Sequence, residues 1–236
     1  MVSGKQVLIG LTTTKGSDWR DKIQEIKQFN IKEAALLPVT LTPAERQEFY
    51  KLLEASGLES APYVQLREDS TLAELDYLVA RFKTKVFSCH ADLAGYNVLD
   101  HLPKYNSVIF VENFANENSD ILFNEQKFAE HQVSGICLDL SHLEEARKSA
   151  KKHFKRVAAM ADKIPVGVTK ISGIKSSVVF KVFNQTYVDH SLDSLNDLAY
   201  IKAFPPHYFA KFIVLDLENS FIEQLEIKKF TETIIK

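Results

Sequence analysis

Short apolar runs rich in β-branched residues alternate with amphipathic, capped segments from one end of this chain to the other. The runs are VLIGLTT (Val7 to Thr13), EAALLPV, APYVQLRE, KVFSCHA, SVIFVENF, GICLDLSH, IPVGVTKISGI and FIVLDLEN. Brief continuous apolar runs are the pattern of parallel strands buried on both faces. Eight such strands joined by right-handed crossovers close into a (β/α)₈ barrel, whereas an open doubly wound sheet carries a glycine-rich phosphate loop after its first strand. GLTTTKGS contains neither GxGxxG nor GxxxxGK[ST]. The expectation is an α/β chain forming one (β/α)₈ TIM-barrel domain over residues 1–236, a length on the scale of about 200–250 residues at which such barrels stand as one domain.

The segments between the runs carry helix signals. Ser17 or Asp18 can cap a helix with Trp19, Ile23, Ile26 and Phe29 on one side. Thr42 followed by Pro43 is a cap with proline at the first helical position, and Gly57 is the matching stop. Ser70 or Thr71 opens STLAELDYLVARF, and only a short helical stretch, Ala94 to Leu99, follows the fourth run. Helices are expected around Ile121 to His131, from Leu143 to about Asp162, over NDLAYIKAF and at the C-terminal FIEQLEIKKFTETII. Between Gly173 and Leu195 the rhythm is irregular, and VVFKVF alternates like a hairpin strand. A long loop at that place either holds substrate or caps the barrel rim.

A formal net charge of −2 and a pI near 6.4 give no general attraction to a polyanion, so a nucleic-acid partner is unlikely on composition. The basic stretch RKSAKKHFKR is broken by apolar residues at helical spacing and reads as a solvated helix face. Cys89 and Cys137 lie within strand-like runs, where cysteine behaves as a small apolar residue, and two cysteines make no zinc ribbon. MVSGKQVLIGL is too short and too soon polar for a secretory signal or a membrane span. The expected setting is the cytoplasm with no membrane association, and homo-oligomerisation stays open.

Three of the runs stop at an acid: Glu112 in VIFVEN, Asp139 in GICLDL and Glu218 in FIVLDLEN. Strand ends of a barrel converge on one axial position, so these carboxylates can make a cage for a divalent cation such as Mn²⁺, Mg²⁺ or Zn²⁺. A coordinated carbonyl is polarised, which eases proton or hydride movement between adjacent carbons. The plainer alternative is that each acid caps a helix or pairs with a lysine.

Taken in order, Glu112, the Asp139-Leu140-Ser141-His142 segment, Ser172, Asp189-His190 and Glu218 resemble the xylose isomerase-like TIM barrels. That superfamily includes sugar and sugar-phosphate isomerases and epimerases, and AP endonucleases of the endonuclease IV type. The resemblance implies an isomerase or epimerase acting on a small sugar, sugar phosphate or polyol. It further implies Glu112, Asp139, His142 and Glu218 as metal ligands, with Glu112 and Glu218 also acting as acid and base. His90 matches a position at the end of strand four that is a ligand in the endonucleases and a substrate contact in the isomerases. His90, Arg67, Phe114 and His190 are the substrate-binding candidates.

The departures from that pattern matter as much. Lys170 stands where the family offers a histidine ligand. Either it neutralises the acids in a metal-free binding or regulatory barrel, or it is a catalytic base with a depressed pKa. Strand two ends in Thr40 with Glu33 at its other end, Arg67 stands in place of a histidine, and Asp189 and His190 are adjacent. An endonuclease-like phosphodiesterase with three zinc ions therefore ranks third. Trp19 is either a hydrophobic wall beside a sugar or the first core residue of its helix. His101, His131, His153 and His207 lie away from strand ends.

Overall fold

The structure is a computed structural model that describes residues 4–14, 16–113, 122–179 and 183–235. Strands β1 (Gln6–Leu8), β2 (Gly10–Thr12), β3 (Ala35–Leu37), β4 (Tyr63–Gln65), β5 (Val86–His90), β6 (Ile109–Glu112), β7 (Ile136–Asp139), β8 (Val166–Ile171) and β11 (Phe212–Leu215) form one sheet. Its order is β1-β11-β8-β7-β6-β5-β4-β3-β2, and every adjacent pair is parallel. β1 and β2 are the two halves of the first predicted strand, divided at Ile9. The lower half pairs with β11 and the upper half with β3, so the sheet returns to its starting point as a barrel.

Gly10 lies at this seam. A Cβ there would stand 2.0 Å from Leu215 O, so only glycine allows β11 to approach so closely. The C-terminal helix α8 (Phe221–Ile234) fastens the seam. Gln224 Oε1 accepts from Gly10 N at 2.8 Å, and Gln224 Nε2 donates to Gly10 O at 2.9 Å.

Helices α1 (Trp19–Gln28), α2 (Pro43–Ser56), α3 (Leu72–Phe82), α4 (Leu93–His101), α5 (Glu125–Glu130), α6 (Leu140–Ser149) and α7 (Lys151–Ala161) lie between the strands. The start signals act as local chemistry dictates. Asp18 caps α1, Thr71 caps α3, and Thr42 and Glu45 form a reciprocal capping box on α2. Gly57 ends α2 with φ 88°, a left-handed conformation that suits glycine. No helix among the described residues is long and apolar enough to cross a membrane.

Alternate strand residues separate two cores. Leu8, Ala35, Leu37, Tyr63, Cys137, Val168, Phe212 and Val214 plug the barrel interior. Val7, Ile9, Leu36, Val64, Phe87, Val111, Leu138, Ile213 and Leu215 face the helices and pack with Ile23, Phe49, Leu78, Val157 and others. Each such side chain contributes about 1.5–3 kcal/mol by leaving water. Trp19 belongs to this outer layer: it is buried and meets Phe49 edge-on at 5.5 Å, as a core residue of α1 rather than a wall for a sugar.

Three local expectations need correction. The helix anticipated over Leu143 to Asp162 is two helices, α6 and α7, separated at Ala150 with φ −136° and ψ 61°. The turn lets Leu143 and Ala146 bury on one helix while Val157 and Met160 bury on the other. The helix expected around Ile121 to His131 is shorter among the described residues, with Asn124 capping Glu125–Glu130. NDLAYIKAF falls in a 3₁₀ helix, Leu195–Ala203. The irregular segment is the hairpin its alternation suggests, an antiparallel pair of β9 (Gly173–Val179) and β10 (Phe183–Asp189) that pairs with no other strand among the described residues, and the middle of VVFKVF lies outside those residues.

Candidate functional site

Above the apolar plug, the next inward positions are polar. Thr12, Gln65, Ser88, Glu112, Asp139, Lys170 and Asp216 are all buried at or beside the C-terminal strand ends. Lys170 is the hub. Its Nζ lies 2.8 Å from Glu112 Oε1, 2.8 Å from Asp216 Oδ2 and 3.9 Å from Asp139 Oδ2, and it donates to Gln65 Oε1 at 3.2 Å. Strand register brings this about. Lys170 is level with Asp139 on β7 and Val214 on β11, and Asp216 N donates to Ile171 O at 2.8 Å.

Each partner is anchored differently. Asp216 Oδ1 accepts from Thr12 Oγ1 at 2.8 Å and faces His190 Nδ1 at 3.3 Å. Asp139 Oδ1 caps α6, accepting from Ser141 N and His142 N at 2.8 and 3.0 Å. Asn113 holds that corner: its Oδ1 accepts from Asp139 N at 2.7 Å and its Nδ2 donates to Asp139 O at 3.0 Å. Ser172, also buried, donates from Oγ to Asp216 O at 3.2 Å, and its N–H donates to Ser141 Oγ at 2.6 Å. Glu112 is incompletely matched, because its Oε2 is buried with no hydrogen-bond partner.

The charges settle one another. Burial pulls the Lys170 pKa down, but Asp216 and Glu112 outweigh it and hold the ammonium well above the ordinary lysine value. Burial pushes Asp216 up, and Lys170 and His190 overcome that to leave it below the usual carboxylate range. Asp216 in turn raises His190 to about 9, against the opposing effect of burial. The direction of the Lys170 shift is the opposite of the depressed pKa a lysine base needs.

One proton position follows from donor arithmetic. An ammonium only donates, so Gln65 turns its oxygen to Lys170 and its nitrogen to His90. His90 Nε2, 2.9 Å from Gln65 Nε2, is then the acceptor, which puts the ring proton on Nδ1.

The remaining sequence candidates are set around this cluster, and His190 and His142 touch it through Asp216 and Asp139. Glu218 does not face Lys170: its Oε1 accepts from Thr14 N and Thr14 Oγ1 at 2.8 and 2.7 Å. Asp216, two residues earlier, takes the place foreseen for it. His142 Nδ1 lies 3.2 Å from Glu145 Oε2 on its own helix. Arg67 lines the mouth beside His90, and its Nη1 donates to Val39 O. His190 is at the rim, its Nδ1 also meeting Asp216 O at 3.1 Å. Phe114 lies outside the described residues.

Among the described residues the donor set does not fit a divalent cation. Where an ion would meet Glu112 and Asp216, the Lys170 ammonium already bonds both, and Glu218 is turned to Thr14. Among the described residues no group of three or more His, Cys, Asp or Glu side chains is arranged to hold a metal.

No family model and no curated protein matches the sequence. Among solved structures, a xylose isomerase-like TIM barrel protein from Mycobacterium smegmatis, crystallised in complex with magnesium, is similar over 100% of this chain and 98% of its own. The TM-score is 0.52 and the identity 8%, a likeness that carries the fold alone.

Proposed function

We propose that this chain, which has the xylose isomerase-like TIM-barrel fold, binds a small sugar-like molecule at the C-terminal face without a metal. In this reading the Lys170 ammonium supplies the positive charge. The observation that carries it is the pair of 2.8 Å contacts from Lys170 Nζ to Glu112 and Asp216 inside a buried site. With its three N–H donors already taken by Glu112, Asp216 and Gln65, the ammonium acts on a ligand through its charge and through the Gln65 amide rather than by a bond of its own, which suits a binding or regulatory barrel. The rim adds the His190 imidazolium, held by Asp216.

A second reading, a metal-dependent sugar isomerase or epimerase, is favoured by one observation: the similar Mycobacterium smegmatis protein was crystallised with magnesium. Isothermal titration of Mn²⁺ and Mg²⁺ into the native chain and into Lys170→His separates the two. The metal-free reading expects no saturable binding by the native protein below millimolar concentration and a gain in Lys170→His. Micromolar affinity in the native protein, with no gain in the variant, would overturn the metal-free reading and leave the metal-dependent one.

A further inference from the structure

We propose that the cavity between the ends of β4 and β5 and the start of α4 takes the anionic oxygen group of a small molecule, a phosphate or a carboxylate, on the Arg67 guanidinium. The proposal rests on the small-molecule reading above and gives that ligand a chemical class.

The cavity has a volume of about 50 Å³ and is lined by Gln65, Arg67, Glu68, His90, Asp92 and Gly95, among others. A water needs roughly 10–15 Å³, so the space suits about three to five oxygens, the size of an oxyanion head and smaller than a sugar ring. Arg67 is only partly matched there. Its Nη1 donates to Val39 O and its Nη2 lies 3.8 Å from Glu68 Oε1, while its Nε is buried with no hydrogen-bond partner. A guanidinium edge of this kind is the usual partner of phosphate and carboxylate oxygens.

The two acids on the wall do not fill that role. Asp92 is committed to Gly95 N at 2.7 Å as the cap of α4, and Glu68 is 63% exposed. The first turn of α4 closes the other side. At Gly95 a Cβ would stand 2.1 Å from His90 O, so helix and strand end approach without a side chain between them. Gln65 connects this wall to the hub, because one amide touches both His90 and Lys170.

The test is isothermal titration of inorganic phosphate and, separately, acetate into the native chain, Arg67→Gln and Glu68→Gln, with a thermal melt of each to check folding. The native chain is expected to bind at least one anion, Arg67→Gln to weaken it tenfold or more, and Glu68→Gln to tighten it two- to fivefold. Phosphate alone points to a phosphate ester as ligand, and acetate, alone or with phosphate, to a carboxylate. No binding by the native chain, or equal affinity in a folded Arg67→Gln, overturns the proposal. If Arg67→Gln does not fold, Glu68→Gln decides: tighter binding supports the site and unchanged binding overturns it. Metal titration reads a different group, so a native chain that binds Mn²⁺ would overturn the metal-free reading and leave the Arg67 result standing.

Discussion

Lys170 and Asp216, on and just beyond the neighbouring strands β8 and β11, meet through Nζ and Oδ2 at 2.8 Å inside the barrel. The contact joins a buried cation to a carboxylate that also faces His190, so removing either partner strands charge where water does not reach.

Lys170→Met is expected to destabilise the protein by about 3–5 kcal/mol, the usual cost of leaving a buried charge without its partner. Urea unfolding at pH 7 measures it. The loss should shrink in acid, where the stranded carboxylates take up protons, and should be partly recovered by adding Asp216→Asn. A loss under about 1 kcal/mol would mean that Lys170 does not carry the charge balance of the site.

His190 should titrate near 9 by NMR. Its folded pKa is raised, so the stabilisation it shares with Asp216 is complete below its unfolded value of about 6.5 and is lost as pH rises through about 9. Stability should therefore decline across that window in the native chain, and His190→Gln should flatten the decline. The effect is reduced by solvent, since the His190 side chain is 35% exposed. An unchanged slope in His190→Gln would remove the Asp216 pairing as its cause.

Gly10→Ala should cost about 3 kcal/mol, because its Cβ would press on Leu215 O at 2.0 Å and backbone cannot swing away as a side chain can. Gly167→Ala, where the Cβ meets the Phe110 ring at 2.0 Å, is the comparison. A ring can turn, so the smaller loss is expected there. Equal losses in chemical denaturation would show that the seam has no special rigidity.

The strand rhythm, the Thr42 and Gly57 helix signals and the burial of both cysteines were legible because they depend on local spacing. The site was legible in phase but not in height. Positions 214, 216 and 218 all follow the inward alternation of β11, but the sequence reading singles out Glu218 and passes over Asp216, which carries the same phase. Two residues along a strand is about 6.6 Å, and which of Asp216 and Glu218 meets Lys170 depends on the stagger between β8 and β11. Only the observed register, Val214 beside Lys170, gives that. The division of the first strand was hidden for the same reason: VLIGLTT reads as one strand, and nothing local tells that its halves have different neighbours.

The amide of Gln224 satisfies both backbone groups of Gly10 across 214 positions of chain. During synthesis, then, the bonds of β1 and Gly10 are completed only after β11 and α8 have been made. Until β11 forms, β1 is an open edge of an unfinished sheet, able to pair with another copy. The interval between the making of β1 and of β11 is therefore when this sheet is most open to mispairing.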